Sequence, residues 1–215
     1  MVVTDLDHMG LQSLIERWAD EESADRRLLV ILENKLSKAR VVKSKDIPSH
    51  TVTMNSKVRL KKKMTDINEL LHQVVINFAL QINNKNGQIT EAYDAENANV
   101  EVDPVHFTNL ISNLVDNAIK YSGDDPQVGI MTFNKNGKLC IRVRDNGIGI
   151  KKEDQKRVFE KFYRVPTGNV HTVKGFGLGL SYVKKIVEEH NGSVSLRSEL
   201  NKGTEFEISL PINSQ

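Results

Sequence analysis

The sequence predicts an α+β fold, a two-layer sandwich in which about three helices cover one face of a mixed sheet. Long segments with apolar residues at helical spacing are few, whereas about five or six short segments alternate between apolar and polar residues. Most of these short segments are separated by turns rich in asparagine and glycine, which favours hairpins. A helical hairpin is predicted ahead of the sandwich.

The composition is that of a globular protein. The 215 residues, 39% hydrophobic and 27% charged, suffice for one large or two small domains. No apolar run approaches the roughly 18 residues of a membrane span, and the start MVVTDLDHMG lacks the features of a secretory signal. A net charge of +2 argues against a dedicated nucleic-acid-binding protein. The single cysteine, Cys140, excludes an internal disulfide framework and fits a reducing compartment, so we expect a cytoplasmic protein.

A basic cluster at residues 61–63 marks the expected boundary between two domains, residues 1–63 and 64–215. In the first, apolar residues recur at helical spacing on both sides of an acidic segment at residues 20–25, which predicts a helical hairpin. The acidic tip is either a solvated turn or a metal site. The following segment IPSHTVTMNSKVRL, residues 47–60, predicts a loop and one strand.

The second domain contains three longer helical segments, at residues 68–82, 103–121 and 177–190. Asp103-Pro104 begins the second helix, since proline is tolerated in a first helical turn, and Asn191-Gly192 ends the third. A short charged helix is predicted at residues 152–159. The predicted strands comprise residues 88–93, 100–102, 127–134, 138–145, 193–198 and 204–210.

Polar side chains line one face of the helix at residues 103–121. Asn113 and Asn117 are four residues apart, and Lys120 follows one turn later. Two amides and an ammonium would be costly against a core, but facing a cleft they can bind a metal ion or phosphate oxygens. The alternative is an exposed polar stripe.

Two glycine-rich turns offer contact with a ligand. In DNGIGI, Gly147 and Gly149 allow a sharp turn and a close backbone approach, and Asp145 offers a carboxylate acceptor. GFGLGL, residues 175–180, opens the last predicted helix, whose first N–H groups can bind phosphate. The glycines of DNGIGI could instead serve only to reverse the chain.

The segment FEKFYR, residues 159–164, begins a polar stretch that extends to residue 174. Phe159 and Phe162 are predicted to anchor this stretch in the core, while Arg164 and the polar residues after it are expected to be mobile and to act as a lid. A surface loop without a function is the alternative.

In their order and spacing, these segments resemble the N, G1, F and G2 boxes of sensor histidine kinases. The boxes are NLVDNAIKY at residues 113–121, DNGIG at 145–149, FEKF at 159–162 and GFGLG at 175–179. The closing GTEF at 203–206 also resembles the end of their catalytic domain. The resemblance covers residues 64–212 and implies the Bergerat-type ATP-binding fold shared with gyrase, mismatch-repair and chaperone ATPases.

For the phosphate end of the ligand, the resemblance implies a complex with Mg²⁺ and ATP. Asn117 would hold Mg²⁺ with the help of Asn113, and Lys120 would contact phosphate. Arg164 is a candidate contact of the γ-phosphate, and Tyr121 would lie beside the nucleotide.

For the adenine end, the resemblance implies that Asp145 accepts a hydrogen bond from the amino group. Gly147 and Gly149 would shape the purine pocket. The glycines that would admit the phosphates to a helix N-terminus are Gly175, Gly177 and Gly179.

ATP-hydrolysing relatives place a glutamate four residues before the Mg²⁺-binding asparagine, and Asn113 occupies that place here. Because an amide cannot take a proton from water, we expect slow hydrolysis and a nucleotide held for phosphoryl transfer to an outside acceptor. An autonomous ATPase is therefore disfavoured.

A complete sensor kinase core also carries a dimerising hairpin with a histidine followed by an acidic residue. In this chain His8 is followed by Met9, and His50 lies in a proline-led loop. The resemblance therefore implies a phosphoacceptor hairpin supplied in cis or in trans, and a response regulator as an indirect partner.

Residues 5–60 resemble the amino-terminal hairpin and first strand of the regulator of nucleoside diphosphate kinase, a relative of transcript-cleavage elongation factors. A fusion or chimera with that family would add binding to RNA polymerase; otherwise the hairpin is a diverged dimerisation module. The alternative function is a non-catalytic, ATP-dependent interaction module linked to transcription.

Overall fold

A computed structural model describes residues 2–4, 8–9, 11–12, 15, 26–42, 60–165 and 177–212. The chain divides into two compact units, Met1–Arg59 and Leu60–Gln215. Within the described ranges, no helix has both the length and the apolar character that a membrane crossing requires.

The first unit contains two short strands and a helix. Strand β1 (Val2–Thr4) pairs in parallel with β2 (Arg40–Val42), and helix α1 (Arg26–Ser37) precedes β2. Residues 8–9, 11–12 and 15 are also helical. Helix α1 is the second helix of the predicted hairpin, whereas neither strand was predicted, because three residues are too few to show alternation. The predicted acidic tip and the strand predicted within residues 47–60 lie outside the described residues.

The second unit has three helices and two sheets. Its elements in chain order are β3 (Lys63–Asp66), α2 (Ile67–Asn83), β4 (Gln88–Tyr93), β5 (Asn99–Val102), α3 (Pro104–Tyr121), β6 (Gln127–Lys135), β7 (Lys138–Asp145), α4 (Gly179–Glu189), β8 (Ser193–Glu199) and β9 (Gly203–Pro211). The larger sheet has the order β4-β6-β7-β9-β8, and β3 pairs with β5 in a two-stranded sheet. In the larger sheet β4 and β6 are parallel and the other pairs antiparallel, so the predicted mixed sheet is confirmed.

The three helices bury their apolar faces against one face of the larger sheet. Strands β6, β7 and β9 alternate, and their buried residues form one core with those of α2, α3 and α4. Phe107, Leu71 and Ile141 are fully buried members of this core. Each such side chain contributes about 1.5–3 kcal/mol to folding. Cys140 is buried in β7, as its place in an alternating run predicts.

One prediction for this unit is wrong, and one strand was not predicted. Residues 152–159 form turns instead of a helix, with bonds to Lys151 O from Asp154 N (2.9 Å) and from Gln155 N (3.2 Å). Asp154 and Val158 are the only buried side chains of that segment, so it lacks the apolar stripe that would stabilise a helix. Strand β3 was missed because none of its side chains is buried, so no alternation marks it.

A buried histidine joins the end of α4 to the start of α3. His190 is 3% exposed; its Nε2 accepts the backbone N–H of Asp103 at 2.9 Å, and its Nδ1 donates to Ile186 O at 2.7 Å. These partners require the neutral ring, and burial lowers the pKa of His190 below its ordinary value of 6.5. The Asp103 carboxylate caps α3 by accepting the N–H groups of Val105 and His106 at 3.1 Å.

We therefore predict that stability decreases below about pH 6.5, because His190 takes up a proton in the unfolded chain before it does so in the folded one. Its contribution is fully present above that pH and is lost as the pH falls towards the folded pKa, by up to about 1.4 kcal/mol per pH unit. Denaturant unfolding at several pH values measures this slope. His190→Gln should remove the part of this pH dependence that His190 contributes. A variant whose unfolding free energy changes with pH as steeply as that of the wild type would contradict the assignment.

Candidate functional site

One face of α3 forms the floor of the candidate site. Asn113, Asn117 and Tyr121 follow one another at four-residue intervals on this face, and all three are half-buried. The positions of Asn113 and Tyr121 are about 12 Å apart along the helix axis. The two glycine-rich turns predicted from the sequence contact this face at its two ends.

At one end, the start of α4 lies against Asn113. A Cβ placed on Gly179 would lie 2.8 Å from Asn113 Oδ1, so the contact requires glycine or a shift of the amide. Asn113 Nδ2 donates to Asn109 O at 2.7 Å, which leaves Oδ1 as the atom directed towards Gly179. The structure thus brings together the first asparagine of the predicted site and its last glycine.

An open groove of about 690 Å³ lies beside this contact, between α2, α3 and α4. Its lining residues are Phe78, His106, Asn109, Ser112, Asn113, Asp116, Leu178, Gly179 and Tyr182. Most of these side chains are polar, and the volume is within the range of small-molecule sites. Of the predicted site residues, Asn113 and Gly179 line this groove.

At the other end, the turn after β7 lies against Tyr121. The N–H of Ile148 donates to Tyr121 O at 3.0 Å. A Cβ on Gly147 would lie 2.5 Å from that same oxygen, so only glycine fits this approach. Asp145 and Gly147, predicted to serve one ligand with Tyr121, are therefore neighbours of it.

Asp145 is held by the backbone and keeps one oxygen available. Its Oδ1 accepts the N–H groups of Gly147 at 2.9 Å and Thr204 at 3.0 Å. Burial raises the pKa of Asp145 above its ordinary value, and these two hydrogen bonds partly offset the increase. Among the described residues, none donates a hydrogen bond to Oδ2, so this oxygen can accept one from a ligand.

The loop between β8 and β9 supports the turn after β7 from behind. Gly149 has a φ of 67°, and a Cβ there would lie 2.0 Å from Glu199 O. Ile148 O accepts the N–H of Asn201 at 2.7 Å, and the N–H of Ile150 donates to Ser198 Oγ, also at 2.7 Å. The second glycine of the predicted pocket is thus required for packing between two turns.

The predicted lid has its two described ends in contact. The N–H of Phe162 donates to Gly177 O at 2.9 Å, and Phe159 packs edge-on against Phe206 with ring centroids 6.2 Å apart. Arg164 lies just beyond this contact and is exposed. Residues 166–176, which include Gly175, lie outside the described residues, so the lid itself stays a prediction.

Lys120 does not point freely into the site. Its ammonium pairs with Asp116 Oδ2 at 2.5 Å, and Asp116 Oδ1 is 3.4 Å from Gln81 Nε2 on α2. This pairing places the ammonium on the side of α3 that faces α2. The predicted phosphate contacts of Lys120 and Arg164 stay predictions.

The contribution of Thr204 to the site was not predicted from the sequence. The segment around it was interpreted only as the end of the domain, yet its N–H fixes Asp145. No hairpin pattern could have indicated this, because β7 and β9 are not consecutive strands; their register, which pairs Arg144 with Glu205, places Thr204 opposite Asp145. Tyr182 and His106 also line the groove, and neither belongs to a motif that the sequence analysis identified.

Amide oxygens are the ligands that the site offers for a cation. Within the described ranges, no group of three or more His, Cys, Asp or Glu side chains could hold a metal ion. Asn113 nonetheless fits the predicted Mg²⁺, because its hydrogen bond to Asn109 O turns the oxygen, a hard ligand, towards the start of α4.

Sequence comparison shows that the chain is similar to sensor histidine kinases and related ATPases. The family model for histidine kinase-, DNA gyrase B- and HSP90-like ATPases matches residues 102–214. The sensor protein RprX of Bacteroides fragilis (strain YCH46) is 52% identical over 158 residues, covering 73% of this chain and 30% of RprX. The chain thus spans less than a third of that relative. The resemblance of residues 5–60 to the regulator of nucleoside diphosphate kinase is not shown by these comparisons.

Comparison with solved structures finds the same fold. The nucleotide-free catalytic domain of histidine kinase ThkA is 28% identical with a TM-score of 0.60, covering 71% of this chain and 98% of that domain. Full-length ShkA in complex with AMPPNP is 25% identical with a TM-score of 0.64, covering 73% of this chain and 32% of ShkA. ThkA in complex with the response regulator protein TrrA is 23% identical with a TM-score of 0.63, covering 95% of this chain and 57% of ThkA, and shares the fold.

We predict that Gly149→Ala destabilises the protein far more than Gly123→Ala. Both glycines have a positive φ, 67° and 72°, but a Cβ on Gly123 has nothing within 4 Å. Gly123→Ala should cost about 1–2 kcal/mol for its backbone conformation alone. Gly149→Ala should lower the free energy of unfolding by at least about 3 kcal/mol, because its Cβ would also push apart the turn after β7 and the loop between β8 and β9. Denaturant unfolding compares them, and equal losses would contradict this account of the turn.

Proposed function

The chain belongs to the family of histidine kinase-, DNA gyrase B- and HSP90-like ATPases, and from this membership we propose that it is the catalytic domain of a two-component sensor histidine kinase. It binds ATP with Mg²⁺ and transfers the γ-phosphoryl group to a histidine acceptor that the chain does not recognisably contain. The observation that carries the proposal is the placement of Gly147 and Gly179 at opposite ends of one polar face of α3.

The adenine lies at the Tyr121 end of this face. Asp145 Oδ2, which has no donor among the described residues, accepts the amino group of the base, and Gly147 and Gly149 leave room for the ring. A charged acceptor held in a buried position favours a purine with an amino group over one with a carbonyl there.

The phosphates lie at the Asn113 end, where the first N–H groups of α4 and the helix dipole favour negative charge. Asn117 and Asn113 would hold Mg²⁺ through their amide oxygens, and the ion would supply positive charge to neutralise the phosphates. Lys120 contacts phosphate only after it exchanges its Asp116 partner for the nucleotide. Arg164 and Gly177 approach from the base of the lid.

Transfer is favoured over hydrolysis by the amide at position 113. Position 113 carries an amide where the ATP-hydrolysing relatives have a glutamate, and an amide cannot take a proton from water, so the γ-phosphoryl group of the bound nucleotide is transferred to a stronger nucleophile. The imidazole of an acceptor histidine is such a nucleophile. Positioning and charge neutralisation then supply most of the catalysis.

The partners follow from the proposed reaction. A phosphoacceptor hairpin, in cis or in trans, receives the phosphoryl group, and a response regulator takes it from there. The complex of ThkA with its response regulator supports the second partner for this fold. Because the reaction consumes ATP, we place the domain in the cytoplasm.

We predict that the purified chain, given γ-labelled ATP, magnesium and a separate phosphoacceptor hairpin, labels that hairpin. The product should be acid-labile, as a phosphorus–nitrogen bond is, and it should be absent when the acceptor histidine is replaced by alanine. Without the hairpin, release of phosphate should be slow, because position 113 offers no base. Binding without transfer would instead favour a non-catalytic interaction module, and rapid phosphate release would identify an ATPase.

We also predict that Asp145→Asn changes base preference. The amide oxygen must take the place of Oδ1, which accepts two N–H groups, so the amide nitrogen is then presented to the ligand. A donor facing the amino group of adenine should weaken ATP binding about 100-fold. Binding of inosine triphosphate, which has a carbonyl there, should be retained or strengthened.

Titration calorimetry with both nucleotides measures this preference. Asp145→Ala is the matched control. Its side chain offers neither donor nor acceptor, so the binding of ATP and of inosine triphosphate should weaken to the same extent. An Asp145→Asn variant that still prefers ATP would contradict the assignment of Asp145 to the adenine.

A further inference from the structure

The start of α4 is packed differently from its end. The buried side chains of this helix, Val183, Ile186 and Val187, all lie beyond its first turn. In the first turn Leu178 is exposed, and the side chains from Leu180 to Tyr182 are only half-buried. Leu178, at the N-cap position, makes no side-chain hydrogen bond to the helix. Core packing therefore fixes the end of α4 but leaves its start to be held by other contacts.

Tyr182 supplies such contacts to α3. Its hydroxyl lies 3.0 Å from His106 Nδ1 and donates to His106 O at 3.3 Å. The two rings lie 6.3 Å apart between centroids. Burial raises the pKa of Tyr182 above its ordinary value, so the hydroxyl keeps its proton at neutral pH.

Both contacts can form at once. A tyrosine hydroxyl both donates and accepts hydrogen bonds. It donates to His106 O and accepts from His106 Nδ1 when the His106 ring carries its proton on Nδ1. A fully satisfied set of this kind holds two helices in one relative position.

The contacts of Tyr182 lie next to the phosphate end of the proposed site. Gly179 is three residues before Tyr182 on α4, and Asn113 is one turn after Asn109 on α3. Asn113 is linked to Asn109 directly, because its Nδ2 donates to Asn109 O at 2.7 Å. The gap between Gly179 and Asn113 Oδ1 is so narrow that a Cβ would approach to 2.8 Å, so a small movement of the first turn changes the space available for phosphate.

We propose that Tyr182 is a positioning residue for phosphate binding: its hydroxyl, held by His106, sets the distance between the first turn of α4 and Asn113. The proposal rests on the proposed function, since it assigns the phosphates of ATP to this gap. Tyr182 itself need not touch the nucleotide. Its effect is confined to the phosphate end, because Asp145 and Tyr121 are fixed by separate contacts.

The test measures the dissociation constants of the full chain for ATP with magnesium and for adenosine, by titration calorimetry. Tyr182→Phe removes only the hydroxyl and should weaken ATP binding about fivefold to tenfold, the effect of one such hydrogen bond. Adenosine lacks phosphates, so its dissociation constant should change less than about twofold. Tyr93→Phe is the matched control, because it removes the hydroxyl that bonds Glu91 on β4, and both ligands should bind as to the wild type.

Variants at position 106 extend the test. His106→Leu should weaken ATP binding as Tyr182→Phe does, and the double variant should be no weaker than either single one. His106→Asn retains a donor near the position of Nδ1 and should restore part of the affinity.

Two results would overturn the proposal while leaving the proposed function intact: unchanged ATP binding by Tyr182→Phe, or an equal loss for adenosine and ATP. The second would show that Tyr182 matters only for general stability. Failure of the wild-type chain to bind either ligand would overturn both proposals.

Discussion

The site depends on one steric constraint: two turns of backbone must approach the same helix face with no side chain between them. Gly147 approaches the carbonyl of Tyr121 and Gly179 approaches the amide of Asn113, each at a distance that excludes or strains a Cβ. The half-buried Asn117 lies midway between these two approaches, which are about 12 Å apart along α3. This geometry brings residues of the N, G1 and G2 boxes together on one helix.

The rest of the domain holds these two approaches in place. The hairpin of β8 and β9 supports the first turn through Glu199 and Thr204, so the end of the sheet is part of the site. The second turn depends on how α4 lies on α3. There, His190 fixes the end of α4 by a buried hydrogen bond to Asp103, and Tyr182 holds its start. Polar contacts at both ends of α4 thus support the face of α3 that we propose as the nucleotide-binding site.

Much of this arrangement was predictable from the sequence, because the helical spacing of apolar residues, the alternation in the strands and the asparagine-glycine turns are all clear. Helices α2, α3 and α4 and the five strands of the larger sheet were predicted to within about two residues, and Asn136-Gly137 forms its predicted turn with φ of 52° and 70°. The prediction of a helix at residues 152–159 was wrong, because a charged segment without an apolar stripe has no face to bury against the core. The pairing of Lys120 with Asp116 and the role of Tyr182 arise from contacts between distant elements, which spacing in one sequence cannot reveal.

The central claim is that one nucleotide spans both glycine-rich turns. Amide NMR spectra of the full chain during titration with ATP and magnesium test it most directly. The account predicts that the Gly147 and Gly179 signals shift with a single dissociation constant under ATP, and that adenosine shifts only that of Gly147. A Gly179 signal that does not respond to ATP, or two different dissociation constants for the two glycines, would contradict it.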